Sequence, residues 1–286
     1  MKNPLRALLK QGQLLCLPGI YDGISLRVAE SMGFPALYMT GYGTVGSHLA
    51  IPDAGIASYA DMLNRVQVLC GATQLPIVCD GDTGYGGLLN VAHTVAGYEK
   101  AGAAAIQLED QEIPKKCGHT PGRRVIPMAD MVQKIRVARD ARSGDDGIVL
   151  IARTDARTNH GLDEALRRAE AYLKAGADVL FVESPESEEE LRRISDTFKG
   201  TPLLVNNVEG GKTPILPPAA LQALGFQIAI YPALGFLAAG HALRQAYSKI
   251  RHPEQFEQTQ VMLDDFKSFS VMMGFERIWD FEKKYG

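Results

Sequence analysis

The chain of 286 residues is 46% hydrophobic and 22% charged, a globular composition that excludes a disordered chain and supplies apolar material for a large core. A net charge of −3, with no dense Lys/Arg run interleaved with aromatics, excludes nucleic acid and anionic membrane as expected partners and leaves a small molecule. Met1 to Gln11 has no continuous apolar stretch, and no later segment reaches the roughly 18 apolar residues of a membrane span. The expectation is a soluble, unexported, cytoplasmic protein. Its four cysteines, Cys16, Cys70, Cys79 and Cys117, form no C-x-x-C pair and are read as reduced thiols.

Along the chain one unit recurs: an amphipathic stretch, a glycine suited to the left-handed position after a helix, then a short apolar run ending in a polar residue. It appears at Ser31–Thr40, Lys100–Glu109, Lys174–Glu183 and Ala223–Tyr231. Further apolar runs begin near Leu14, Ile77, Ile148 and Leu203, which brings the count to about eight strand–helix units. That number predicts an α/β (β/α)8 TIM barrel, which takes about 250 residues and fits from Leu14 to about Lys249. Residues 1–286 are expected to form one domain, with 250–286 as a C-terminal helical extension. The alternative, an open doubly wound sheet, lacks its G-x-G-x-x-G fingerprint after the first strand.

In such a barrel the site is built where the strands end. The predicted ends carry Thr40-Gly41-Tyr42-Gly43, Asp80-Gly81-Asp82, Glu109-Asp110, Arg153-Thr154-Asp155, Glu183, Asn206-Asn207 and Tyr231. Asp80, Asp82 and Glu109 at one mouth would repel one another unless a cation sat among them, and oxygen-only ligation favours Mg2+, or Mn2+, held largely through water. The other reading neutralises the carboxylates with Arg153 and Lys116. The loop Lys115-Lys116-Cys117-Gly118-His119 places a thiol beside two lysines, Lys115 and Lys116, and His119, which stabilise its thiolate and suit it to proton exchange near neutrality.

With these residues in view, the chain resembles the isocitrate lyase and phosphoenolpyruvate mutase superfamily over nearly its whole length. Lys115–His119 is the hallmark of its lyase branch, and the agreement extends through 108–111, 80–87, 151–156 and 208–214. The runs 80–87 and 209–212 look closer to the subgroup of petal death protein and 2,3-dimethylmalate lyase than to methylisocitrate lyase. The resemblance implies a Mg2+ ion surrounded by Asp53, Asp80, Asp82 and Glu109, only part of them in direct contact. It places Tyr38, Thr40, Gly41 and Tyr42 around the 2-oxo acid part of a small carboxylic-acid substrate, with Arg153 on its carboxylate or 2-oxygen. Gly118, His119, Glu183 and Asn206 would hold the second product's carboxylate. The implied reaction is retro-aldol (retro-Claisen) cleavage of a 2-hydroxy diacid, with Cys117 giving the proton and Tyr38, Arg153 or a metal-bound hydroxide as base.

Oxaloacetate hydrolysis is the first rival, weakened because Ala233-Leu234 stands where hydrolytic members carry a hydroxyl. A phosphonate-forming mutase or phosphonopyruvate hydrolase, which lack the Lys-Cys-Gly-His loop, and a non-catalytic binding barrel follow. Two expectations concern mobile parts. The loop from Gln111 to Arg124 closes over substrate, and the aromatic-rich tail exchanges between paired barrels in a homotetramer, a dimer of helix-swapped dimers.

Overall fold

A computed structural model describes residues 3–118, 122–252 and 262–286. Eight parallel strands close on themselves in sequence order: β1 (Leu15–Ile20), β2 (Leu37–Met39), β3 (Ile77–Asp80), β4 (Ala105–Glu109), β5 (Val149–Thr154), β6 (Val179–Val182), β7 (Leu203–Asn206) and β8 (Ile228–Tyr231). Closure is made by β8 against β1, with Leu15 opposite Ile228 and Leu17 opposite Ile230. The barrel read from the repeats is thus the fold, and the open sheet is not adopted. Gly33, Gly102, Gly176 and Gly225, the four repeat glycines, have φ of 77°, 98°, 117° and 98°. Each turns the chain from a helix into the next strand in a conformation that a side chain would strain.

Strand alternation divides the apolar residues into two cores. Leu37, Met39, Ile77, Cys79, Ile106, Leu108, Leu180 and Val182 point outward and pack under the surrounding helices. Leu17, Tyr38, Val78, Ala105, Ile151, Val179, Phe181, Leu204 and Ile230 point inward and fill the barrel. Helix α1 (Pro4–Leu9) closes the floor: fully buried Leu5 joins the inner core, Asn3 caps the helix and donates to the Ala104 and Gly147 carbonyls, and Arg6 forks onto Asp178 at 3.1 and 3.0 Å. At the other end the inward rows become polar, with Asp80, Gln107, Glu109, Arg153, Glu183 and Asn206 all buried.

The last helices differ from the rest. Helix α10 (Leu234–Arg251), which follows β8, has no buried residue, and Leu237, Leu243, Tyr247 and Ile250 stand exposed on it. Neither α11 (Phe266–Met272) nor α12 (Phe275–Tyr285) buries a residue, although Phe266, Phe275, Ile278, Trp279 and Phe281 lie there. Phe256 and Val261, also counted in the predicted apolar tail, lie outside the described residues.

Candidate active site

A cavity of about 260 Å3 opens at the carboxyl ends of the strands. It is lined by Tyr38, Thr40 and Tyr42 after β2, by Asp53, Asp80 and Glu109, by Lys116, Cys117 and Gly118 of the following loop, and by Arg153 and Asn206. Gly41 opens helix α3 (Gly41–Leu49), whose N-terminus faces this space and whose first N–H groups have no partner within the helix. A Cβ on Gly41 would stand 2.5 Å from Asp80 Oδ2, so only glycine fits between the helix and that carboxylate. Glu183 lies just behind the wall, accepting from Asn206 Nδ2 at 3.2 Å, and Asp82 lies behind Lys115. His119 lies outside the described residues. Tyr231, one of the strand-end residues, faces the helical layer instead, because alternation turns Ile230 inward and Tyr231 out.

Arg153 brings a guanidinium to the cavity, beside Lys115 and Lys116. Its Nε and Nη2 bind Asp155 at 2.9 and 2.8 Å, while Nη1 lies 3.3 Å from Glu109 and 3.5 Å from Glu183. Burial opposes its charge, but Asp155, Glu109 and Glu183 outweigh burial and hold the guanidinium well above its ordinary pKa. Tyr38 donates to Gln107 Oε1 at 3.2 Å, and burial, reinforced by Asp80, lifts its phenol well above the ordinary value. Both therefore rest protonated, and neither is a ready base. Asp110, at the end of the same strand as Glu109, takes no part in the cavity. It accepts from Thr154 Oγ1, the Asp155 N–H, Tyr172 and Arg168, and joins β4, β5 and helix α7 (Arg157–Ala175).

The neutralising charge differs from the one expected. Lys115, not Lys116, enters the carboxylate cluster, with Nζ 2.5 Å from Asp53 Oδ1 and 2.6 Å from Asp82 Oδ1. The reason lies in the loop backbone: Gln111 receives the Lys116 N–H at 3.0 Å and donates to the Lys116 carbonyl at 2.8 Å, which turns the preceding side chain inward. Nothing in two adjacent lysines signals which one turns in. Asp82, with φ of 48°, also donates its N–H to Asp80 Oδ1 at 3.0 Å. Burial opposes the Lys115 charge, but Asp82, Asp53, Glu109 and Asp80 hold the ammonium well above its ordinary pKa. One ammonium cannot balance so many carboxylates, and burial raises Asp82 to about 7 even with Lys115 pulling the other way.

Among the described residues no group of three His, Cys, Asp or Glu is close enough to hold a metal ion by itself. The remaining donors still fit a hard cation. Glu109 Oε1 is a buried acceptor without a hydrogen-bond partner, and its carboxyl is raised well above the usual range, first by burial. Asp80 and Glu109 face the cavity with oxygen only, a set that suits a divalent ion completed by water and substrate oxygens.

The loop that carries Cys117 is tied at its neck, where Glu112 N–H donates to Arg124 O and Ile126 N–H to Asp110 O, each at 2.9 Å. Arg123, to which the sequence reading gave no role, is buried and binds Asp155 Oδ1 at 2.6 Å. Gln107 was missed as well, although strand alternation between Ala105 and Glu109 would have turned it inward. The residues from Val208 to Gly211, with Pro232, Ala233 and Leu237, complete the less polar wall.

Residues 5–251 match the family described as phosphoenolpyruvate phosphomutase. A 2,3-dimethylmalate lyase from Eubacterium barkeri is 43% identical over 281 residues, covering 98% of this chain and 96% of its own. A 2-methylisocitrate lyase from Halalkalibacterium halodurans (strain ATCC BAA-125 / DSM 18197 / FERM 7344 / JCM 9153 / C-125) is 40% identical over 251 residues, covering 88% and 82%. Among solved structures, an oxaloacetate acetylhydrolase in complex with the inhibitor 3,3-difluorooxalacetate matches with a TM-score of 0.92 and 33% identity over 98% of this chain and 95% of that one. A phosphonopyruvate hydrolase in complex with oxalate and Mg++ matches with 0.88 and 30% over 100% and 99%.

Removing the buried ammonium leaves Asp53 and Asp82 facing one another without a counterion. Lys115→Met is expected to destabilise the protein by about 3–5 kcal/mol, the usual cost of breaking a buried ion pair. Urea unfolding of the metal-free protein reads it; an unchanged midpoint would show that the pair adds nothing to the fold.

Proposed function

The chain belongs to the phosphoenolpyruvate mutase/isocitrate lyase superfamily, and on that premise we propose that it is a divalent-metal-dependent carbon–carbon lyase. Its substrate is a 2-hydroxy dicarboxylate with alkyl substitution, of 2,3-dimethylmalate or 2-methylisocitrate type, cut between C2 and C3 into a 2-oxo acid and a second carboxylic acid. The observation that carries this reading is one cavity in which a loop thiol, a buried guanidinium and partnerless carboxylate oxygen face an apolar wall. The relatives named for this reaction supply the substrate type.

Asp80 and Glu109 would hold Mg2+, with Asp53 and Asp82 behind them, and the ion would supply electrophilic stabilisation of the substrate's C1 carboxylate and C2 oxygen. Oxalate, which has the same pair of adjacent oxygens, accompanies Mg++ in the similar phosphonopyruvate hydrolase. The N–H groups at the start of α3, from Gly41 and Tyr42, receive the carboxylate, since a helix N-terminus favours an anion. Arg153 Nη1 adds a charge-assisted bond. The C2 hydroxyl gives its proton to water in the cavity, C2 becomes a carbonyl, the C2–C3 electron pair moves onto the leaving acid, and Cys117 delivers its proton to that carbon and is reprotonated from solvent. Lys116 and His119 stabilise the thiolate left behind. Asn206, oriented by Glu183, and the Gly118 backbone hold the departing carboxylate.

Two features favour this reaction over the rivals. Pro232-Ala233-Leu234 after β8 offers no hydroxyl to a hydrated oxaloacetate, despite the close structural match to an oxaloacetate acetylhydrolase. Ala233, Leu237 and Val208 instead offer apolar surface to an alkyl group, where each buried methylene contributes about 0.8 kcal/mol. The assembly proposed is a homotetramer, a dimer of dimers that exchange α11 and α12. It rests on three successive helices, α10 to α12, that bury nothing in one chain.

Purified protein with Mg2+ should release pyruvate from 2,3-dimethylmalate, 2-methylmalate or 2-methylisocitrate faster than it consumes oxaloacetate, and exhaustive EDTA treatment should abolish turnover. Faster oxaloacetate hydrolysis would transfer the protein to the hydrolase class, and full activity without metal would remove the cation from the reaction. Cys117→Ser should lower kcat by several orders of magnitude with little change in substrate affinity, as loss of an interaction made only in the transition state does. Retention of most of kcat would exclude the thiol as acid. Deleting 253–286 should convert a tetramer into smaller, poorly soluble, inactive species by light scattering; a monodisperse active monomer, intact or truncated, would exclude the exchange.

A further inference from the structure

Arg123 is a cation buried as deeply as any in the protein, and the chemistry above gives it no task. Its Nη1 donates to Asp155 Oδ1 at 2.6 Å, and its Nη2 to Thr158 Oγ1 at 2.6 Å and Ser184 Oγ at 3.4 Å. Asp155 Oδ1 is the same oxygen that receives Arg153 Nη2 at 2.8 Å, so one carboxylate is shared by two guanidinium groups. The loop meets Arg153 a second time at Gly118, where a Cβ would stand 2.5 Å from Nη2. Ser184, at a left-handed φ of 60°, places Oγ 3.3 Å from the Gly118 carbonyl and 3.2 Å from Glu183 Oε1, two acceptors for its one proton. The contacts close a ring from Gly118 through Ser184, Arg123 and Asp155 to Arg153 and back to Gly118.

We propose that Arg123 is a positioning residue that couples seating of the Cys117 loop to the anion affinity of Arg153. The proposal rests on the reading, given above, that Arg153 meets a substrate carboxylate. A guanidinium enters this buried pocket only against a counterion, so Arg123 occupies it when the loop is seated on Asp155. With Arg123 in place the Asp155 charge is divided between two cations, and more of the Arg153 charge is left for the cavity, toward which Nη1 points. With Arg123 withdrawn, Asp155 neutralises Arg153 alone and the cavity loses positive potential. By linkage, an anion on Arg153 draws the loop closed by the same free energy. Arg123 touches no reacting atom, and the alternative is a plain anchor for the start of α7 through Thr158.

The test is a double-mutant cycle on the intact protein with Mg2+, read by calorimetric titration with oxalate and by tryptic cleavage within 115–122. Arg123→Gln is expected to weaken oxalate about tenfold and to speed cleavage, while Arg123→Lys, which keeps a cation for Asp155, stays within about threefold of wild type. In an Arg153→Gln background the same Arg123→Gln change is expected to cost less than about twofold, because the charge through which it acts is gone. Equal loss in both backgrounds, or no loss from Arg123→Gln, overturns the coupling and leaves an anchor. Should Arg123→Gln not fold, the cycle is run with Arg123→Met, which keeps the stem without the charge, and an additive result there overturns the proposal equally. Oxalate binding does not require turnover, so a non-additive cycle in a protein that cleaves no hydroxy diacid would sustain the coupling and remove the lyase reading. Turnover with an additive cycle would do the reverse, and failure of the wild type to bind oxalate would overturn both.

Discussion

The Lys115 ammonium between Asp53 and Asp82 is the contact on which the mouth of the barrel depends. It ties three segments that the chain delivers separately: the stretch after α3, the end of β3 and the loop after β4. Without it, Asp53, Asp80, Asp82 and Glu109 would share a desolvated space with the nearest guanidinium committed mainly to Asp155. The contact is incomplete as compensation, however. Burial lifts the Asp82 carboxyl to about 7 even beside the ammonium, and Asp80 and Asp53 add to the rise. On the proposed reading a divalent cation at Asp80 and Glu109 would relieve that burial, with Lys115 engaging Asp53 and Asp82 beside it.

The barrel makes that concentration of charge affordable by separating tasks along each strand. In β4, Ile106 and Leu108 face the helices while Ala105, Gln107 and Glu109 face the axis, changing from apolar floor to polar mouth within five residues. In β5 the inward row runs Val149, Ile151, Arg153 in the same sense. Parallel strands all end on one side, so the polar residue of each row arrives at one cavity. The inner core below, closed by Leu5 of α1, excludes water from beneath and raises the strength of every interaction above it.

Much of this was legible in the sequence because it is local. The glycine before each apolar run marks a left-handed turn, and the polar residue after it marks a strand end; four such repeats and their spacing lead to a closed barrel. The approximate membership of the site followed, since Asp80, Glu109, Arg153 and Asn206 all end inward rows. What could not be read depends on where side chains go after the strand ends. Lys115 and Lys116 are chemically equal neighbours, and only the grip of Gln111 on the Lys116 backbone decides between them. Arg123 sits beside exposed Arg124 with no local mark of burial. Tyr231 belongs to the right strand end but the wrong phase, a difference of one residue in a period of two.

The same loop supplies the cation that balances the carboxylates and the thiol proposed as acid, two residues apart. On the lyase reading this arrangement orders the chemistry. An enediolate released at an open mouth would take a proton from water as readily as from Cys117, so the acid must arrive with the barrier to solvent. Lys115 serves that requirement, because its buried ion pairs with Asp53 and Asp82 anchor the segment that holds Cys117 and Gly118 at the cavity wall. Charge balance and the proposed proton donor thus rest on one short segment of the chain. An acid mounted on a rigid strand end would be present at all times, but it would leave both the solvent path and the carboxylate repulsion to be resolved elsewhere.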